Sequence, residues 1–305
     1  MRLIPLFPAA LAVFLTSAAC SEAQSDETTA AGTSTTEQAG KSKKKKKKDS
    51  LESRMIDAAV PGLRRVGRLD GVSESSGLAL GPQAGSYFTF GDNGNVATLY
   101  QIDGTGSVTS KVDVGAKNKD WESLTRDPQG NYFIGDCGNN NSDRRDLRLL
   151  RLNPANPQQI GTISFTYPDQ NEFPPKKKQR NFDCEATLWH EGKVWLFTKD
   201  PQEQTSNVYT VSDQPGTHTA TRAGSIAIPG QVTDAALSPS GRRLVLLGRG
   251  ELFILDGSSW ADILKATPRQ VDLQGAGQTE GAEFKDENTL VISTEEGNLY
   301  EFTMP

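Results

Sequence analysis

The sequence predicts an all-β fold: a five-bladed β-propeller closed by its own N-terminal strand. Three observations carry this. First, a short corner motif recurs five times. It reads Ser75-Ser76-Gly77-Leu78-Ala79, Trp121-Glu122-Ser123-Leu124-Thr125, Cys184-Glu185-Ala186-Thr187-Leu188, Thr233-Asp234-Ala235-Ala236-Leu237 and Thr279-Glu280-Gly281-Ala282-Glu283. Second, positions 76, 122, 185, 234 and 280 are separated by 46, 63, 49 and 46 residues. A period near fifty with four short strands per unit marks a propeller. Third, apolar residues alternate in short runs bounded by turn residues, and no stretch longer than about ten residues has helical periodicity.

Taken in order, the chain begins with a leader over residues 1–20. Arg2 precedes an apolar run from Leu3 to Leu15, and Ser17-Ala18-Ala19-Cys20 closes it. The run is too short to span a bilayer and suits an export signal. Its ending resembles a lipoprotein lipobox with Cys20 as the lipidated residue, although Ser17 stands where leucine is commonest. Ordinary signal cleavage is the alternative. Ser21 after the cysteine fits the outer membrane. The expectation is an exported chain anchored by lipid to a bacterial membrane, on the periplasmic or the outer side.

Residues 21–60 have too few core-forming side chains to fold and read as a tether. Lys43 to Lys48 form an unbroken basic run within it. Such a run either adheres to an anionic surface or serves as a self-repelling spacer. The whole chain carries a formal charge of −5; Arg2 adds one positive charge to the leader, and residues 21–60 carry eight basic against seven acidic side chains. The body, residues 61–305, is therefore near −7, which argues against nucleic acid as a partner.

Within the body, Gly77 to Leu80, Tyr87 to Phe90, Leu99 to Ile102 and Val108 to Val114 form the first predicted blade. Asp103-Gly104 and Pro82 with Gly85 mark its turns. The second blade uses Leu124-Thr125, Tyr132 to Ile134, Leu147 to Leu152 and Ile160 to Tyr167. The third uses Ala186 to Trp189, Val194 to Phe197, Val208 to Val211 and Thr221 to Ile228. The fourth uses Ala236-Leu237, Leu244 to Leu247, Leu252 to Leu255 and Gln270 to Leu273. The fifth has only Glu283-Phe284, Leu290 to Ser293 and Leu299 to Thr303. Its outer strand is expected from Leu63 to Leu69, because ring closure removes two exposed edges. Six blades are the alternative if the N-terminal portion contributes more.

The first strand of each propeller blade lines the channel, so Ser76, Glu122, Glu185, Asp234 and Glu280 are expected to converge on the axis. Four carboxylates without a counter-charge repel, and a proton or a cation must relieve them. Hard oxygen ligands without histidine or cysteine suit Ca²⁺. The alternative is that these side chains bond backbone amides between blades, away from the axis. A second set, in the hairpins after each second strand, places Asp92, Asn93, Asp136, Asn140, Lys199 and Arg249 around the channel mouth. These residues either bind a ligand or simply serve the turns.

Trp121-Glu122, the run Gly135-Asp136-Cys137-Gly138-Asn139-Asn140, Glu185-Ala186, Thr198-Lys199 and Val232-Thr233-Asp234-Ala235 together resemble a sparsely characterised group of exported bacterial propeller proteins. More distantly, Glu280-Gly281-Ala282-Glu283-Phe284 and the five-unit layout resemble the calcium-activated nucleotidase (apyrase) propeller. That resemblance implies a central Ca²⁺ on Ser76, Glu122, Glu185 and Glu280; Asp234 stands where the family has serine. The nucleotide-binding residues of that family have no match here.

The two histidines, His190 and His218, have no triad or metal-ligand neighbour in sequence, and no Gly-x-Ser-x-Gly elbow occurs. The exported setting permits a disulfide, expected between Cys137 and Cys184, with buried free thiols as the alternative. Two functions remain open. One is a calcium-stabilised binding module of the cell envelope, taking a small molecule or an envelope protein. The other is a metal-dependent hydrolase of phosphate esters or similar small polar substrates.

Overall fold

The computed structural model describes residues 60–305. The leader, Cys20, the tether and the lysine run lie outside the described residues. Strand β1 (Leu63–Arg68) is followed by four consecutive sheets. The first holds β2 (Ser75–Leu80), β3 (Ser86–Gly91), β4 (Thr98–Asp103) and β5 (Val108–Asp113). The second holds β6 (Trp121–Arg126), β7 (Tyr132–Asp136), β8 (Arg148–Leu152) and β9 (Gly161–Thr166). The third holds β10 (Asp183–His190), β11 (Lys193–Lys199), β12 (Thr205–Ser212) and β14 (Thr221–Ala227); β13 (Gly216–Thr219) lies between the last two in sequence. The fourth holds β15 (Val232–Leu237), β16 (Arg243–Gly248), β17 (Glu251–Asp256) and β18 (Arg269–Asp272), with the one-turn helix α1 (Trp260–Ile263) before β18.

The fifth sheet joins both ends of the described chain. β19 (Thr279–Asp286), β20 (Thr289–Thr294) and β21 (Asn298–Thr303) are completed by β1, antiparallel to β21 with Leu63 opposite Phe302 and Arg68 opposite Asn298. Five blades are present, closed as the sequence predicts, and the six-bladed alternative falls. Leu63 is fully buried, a contribution of about 2 kcal/mol.

Each innermost strand packs beside those of both neighbouring blades, closing the ring. The core is accordingly divided into wedges between adjacent blades. Phe88 meets Tyr132 and Phe90 meets Trp121 edge-to-face across the first and second blades. Val245, Leu252 and Ile254 meet Phe284, Ile292 and Tyr300 across the fourth and fifth.

One strand was not foreseen. β13 leaves its own blade and pairs in parallel with β9, making the second sheet five-stranded. Its sequence, Gly216-Thr217-His218-Thr219, lacks the apolar alternation that signals a strand.

The expected disulfide is a correction. Cys137 and Cys184 are both fully buried and both free. The Cys137 thiol donates to the Cys184 carbonyl at 3.4 Å, and the Cys184 thiol to the Ala186 carbonyl at 3.7 Å. The two sulfurs are not at disulfide distance, and each thiol donates to a backbone carbonyl.

Candidate functional site

All five innermost strands carry a β-bulge at the same place. The pairing register shifts across Ser76/Leu78, Trp121/Ser123, Cys184/Ala186, Val232/Asp234 and Thr279/Gly281. The extra residues are Gly77, Glu122, Glu185, Thr233 and Glu280. A bulge re-aims its side chain out of the pleat, and three of the five positions hold glutamate. Gly77 supplies the first bulge with a left-handed backbone (φ +70°), where a Cβ would come within 2.9 Å of the Leu124 nitrogen.

Ser76, Glu122, Glu185 and Glu280 line one cleft of about 120 Å³ at the channel mouth. Asp234 does not. It stands one residue beyond the bulge, fully buried, and accepts hydrogen bonds from the amides of Ala235 (2.9 Å), Ala282 (2.8 Å) and Leu78 (3.3 Å). It ties the fourth blade to the fifth and first. Burial pushes its pKa up against the pull of those donors. Ser76 is also engaged: its hydroxyl donates to the Glu122 carbonyl at 3.1 Å.

Of the hairpin set, Asp92, Asn140, Lys199 and Arg249 line the cleft. Asn93 is exposed beside it and donates its amide to the Asp92 carboxylate. Asp136 lies behind it, fully buried between Arg144 (3.0 Å) and Arg148 (2.7 Å). Arg144 also donates to the Gly138 carbonyl at 2.7 Å, so Asp136 holds the hairpin that carries Gly138 and Asn140.

Six carboxylates face the cleft (Glu74, Asp92, Glu122, Glu185, Glu280 and Glu295) against two cations, Lys199 and Arg249. Lys199 is buried and bonded to Glu185, with Asp183 3.4 Å away. The carboxylates around Lys199 raise its pKa despite burial. Arg249 reaches Glu280 at 3.6 Å, and Gln278 donates to the same oxygen at 2.7 Å. Glu122 differs from these. It is 8% exposed, and among the described residues its carboxylate has no hydrogen bond or ion pair. Burial first, then the charges of Glu185 and Asp92, push its pKa well up. Burial pushes that of Glu185 well up too, and raises those of Glu280 and Asp92.

The sequence reading missed Glu74, Gln278, Glu295, Asp120 and Asp183. Four of them stand two residues before a corner residue: Glu74-x-Ser76, Asp120-x-Glu122, Asp183-x-Glu185 and Gln278-x-Glu280. The shared two-residue spacing was thus visible in the sequence, although only Asp183 lies within a strand and the others just precede one. Asp120 closes a further group, as oxygens of Asp92, Asp120 and Glu122 lie within 4.8 Å of one another. Burial raises the pKa of Asp120 to about 6, against the pull of Arg144 at 3.9 Å. The donors are hard oxygens suited to a hard cation.

No family model matches the chain, and no curated protein sequence matches it. Solved structures similar to it include virginiamycin B lyase from Staphylococcus aureus, 13% identical over 76% of this chain and 67% of that one, with a TM-score of 0.41. They also include the PQQ-bound form of aldose sugar dehydrogenase from Streptomyces coelicolor, 11% identical over 79% and 96%, with a TM-score of 0.45. Likeness at this level carries no assignment of activity.

Proposed function

We propose that this propeller is a calcium-stabilised binding module of the cell envelope, tethered by lipid at Cys20, whose channel mouth receives a small molecule or an envelope protein. The observation that supports it is the excess of carboxylates at one polar cleft, six against two cations. A divalent cation offsets that excess, and all-oxygen donors favour calcium. The apyrase resemblance at Ser76, Glu122, Glu185 and Glu280 points the same way. The hydrolase reading is weaker, because neither His190 nor His218 lines the cleft.

The test is thermal melting with EDTA and with calcium, beside elemental analysis of the purified protein. A ligand at 100 times its Kd adds about 2.7 kcal/mol, a rise of roughly 5–10 °C for a domain this size. Identical melting curves with no bound metal would overturn the proposal. Turnover of nucleotides or phosphate esters that disappears in Glu122→Gln would favour the hydrolase.

A further inference from the structure

Lys199 changes where a cation can sit. A central ion shared by all the corner residues would need Glu185, yet the Lys199 ammonium already rests on Glu185 and Asp183. Glu280 is likewise occupied by Gln278 and approached by Arg249. Glu295 on the fifth blade has no donor to its carboxylate, but it stands apart from the one group of acids whose oxygens come close together, Asp92, Asp120 and Glu122 between the first and second blades. Glu122 is 8% exposed and faces the cleft, and among the described residues its carboxylate has no hydrogen bond or ion pair. Asp120 has only Arg144 at 3.9 Å, and the Asp92 carboxylate only the amide of Asn93.

We propose that the cation binds off the channel axis, on Asp92, Asp120 and Glu122, while Lys199 takes the place of a cation on the third blade. This rests on the calcium reading above and locates its site. Ligand oxygens at about 2.3–2.6 Å from calcium lie at most about 5 Å apart, and these three carboxylates offer oxygens within 4.8 Å of one another. The local backbone is built around them. Asn118 accepts from the Trp121 amide at 3.1 Å and donates to the Gly91 and Asp92 carbonyls at 2.9 and 3.0 Å, joining the two segments that bear the ligands. Gly138 donates its amide to the Asp120 carbonyl at 3.2 Å. A Cβ at Gly138 would lie 2.5 Å from carboxylate oxygens of both Asp120 and Glu122, so glycine there leaves the cradle open. Asp92 and Asp120 are half-buried, and water completes the coordination.

Calorimetric titration of the whole protein with calcium chloride alone separates the two claims. Binding by the wild type tests the calcium reading. The pattern among Asp92→Asn, Asp120→Asn and Glu280→Gln tests the location. Losing a charged ligand should weaken calcium by about tenfold or more in the two aspartate variants, and clearly less in Glu280→Gln. Melting of each variant in EDTA at or above the wild-type temperature shows that it folds, since each removes a repelling charge. A wild type that binds calcium, with Glu280→Gln weakened as much as Asp120→Asn, would place the ion on the axis and overturn the proposal. A wild type that binds none would remove the calcium reading as well.

Discussion

Asp234 and Thr233 are adjacent, and that single step divides a clamp from a corner. The bulge position of the fourth blade belongs to Thr233, whose hydroxyl donates to the Thr279 carbonyl at 2.9 Å. The acid beside it turns away from the cleft to collect three backbone amides. Asp234→Ala leaves those buried donors unpaired at about 1–3 kcal/mol each. We expect melting to fall by roughly 10 °C or more while the calcium response survives. Intact stability with a lost calcium response would make Asp234 a ligand. Glu122, Glu185 and Glu280 were legible as cleft residues because each occupies the same corner of a repeated motif. Asp234 misled because residue type outweighed a register that only the bulge reveals. The partnership of Lys199 with Glu185 was hidden for a different reason. It depends on β10 pairing with β11 so that Asp183 faces Lys199, a contact that no spacing announces.

Strands with apolar alternation were readable one by one, and the closing strand was readable because the fifth blade lacked a partner. β13 escaped because its pairing is set by tertiary contact. Gly216 to Thr219 run parallel to Ile163 through Thr166, and the Ala220 amide continues the ladder to the Thr166 carbonyl at 2.9 Å. β9 is thereby bonded on both sides, whereas β5 and β18 have one partner each. Local opening exposes edge strands first. Hydrogen exchange should therefore find alternate amides of β9, those facing β13, slower than outward amides of β5 and β18. Equal rates would show that β13 detaches freely.

Across the whole molecule, buried acids are distributed at both ends of the channel. Glu283 accepts from the Leu80 amide at 3.2 Å and the Phe284 amide at 2.8 Å, and lines a second cleft with Arg126, Trp189 and Leu237. Burial lifts its pKa to about 7, and Asp120 stands at about 6. Both are raised, so the folded chain binds protons more tightly than the unfolded one. Their stabilising contribution is full below the ordinary carboxylate range and is lost as pH rises through about 6 and 7. Melting in EDTA should fall between pH 5 and pH 8, and Glu283→Gln should flatten the upper part of that fall. A rise over the same interval would contradict the burial of these groups.

The ion pair between Arg64 and Glu301 joins residues 237 apart in sequence. β1 is thus the first described strand to be synthesised and the last to find its partner. Four blades can zip locally as they emerge, each from its own hairpins, but the fifth waits for the C-terminus. Until β21 is made, β1 is an unpaired edge. Closing so long a loop is slow compared with forming a hairpin. A chain stopped before β21 would keep four blades yet leave β1 and β20 as two further open edges, the form most prone to pair with a neighbouring copy.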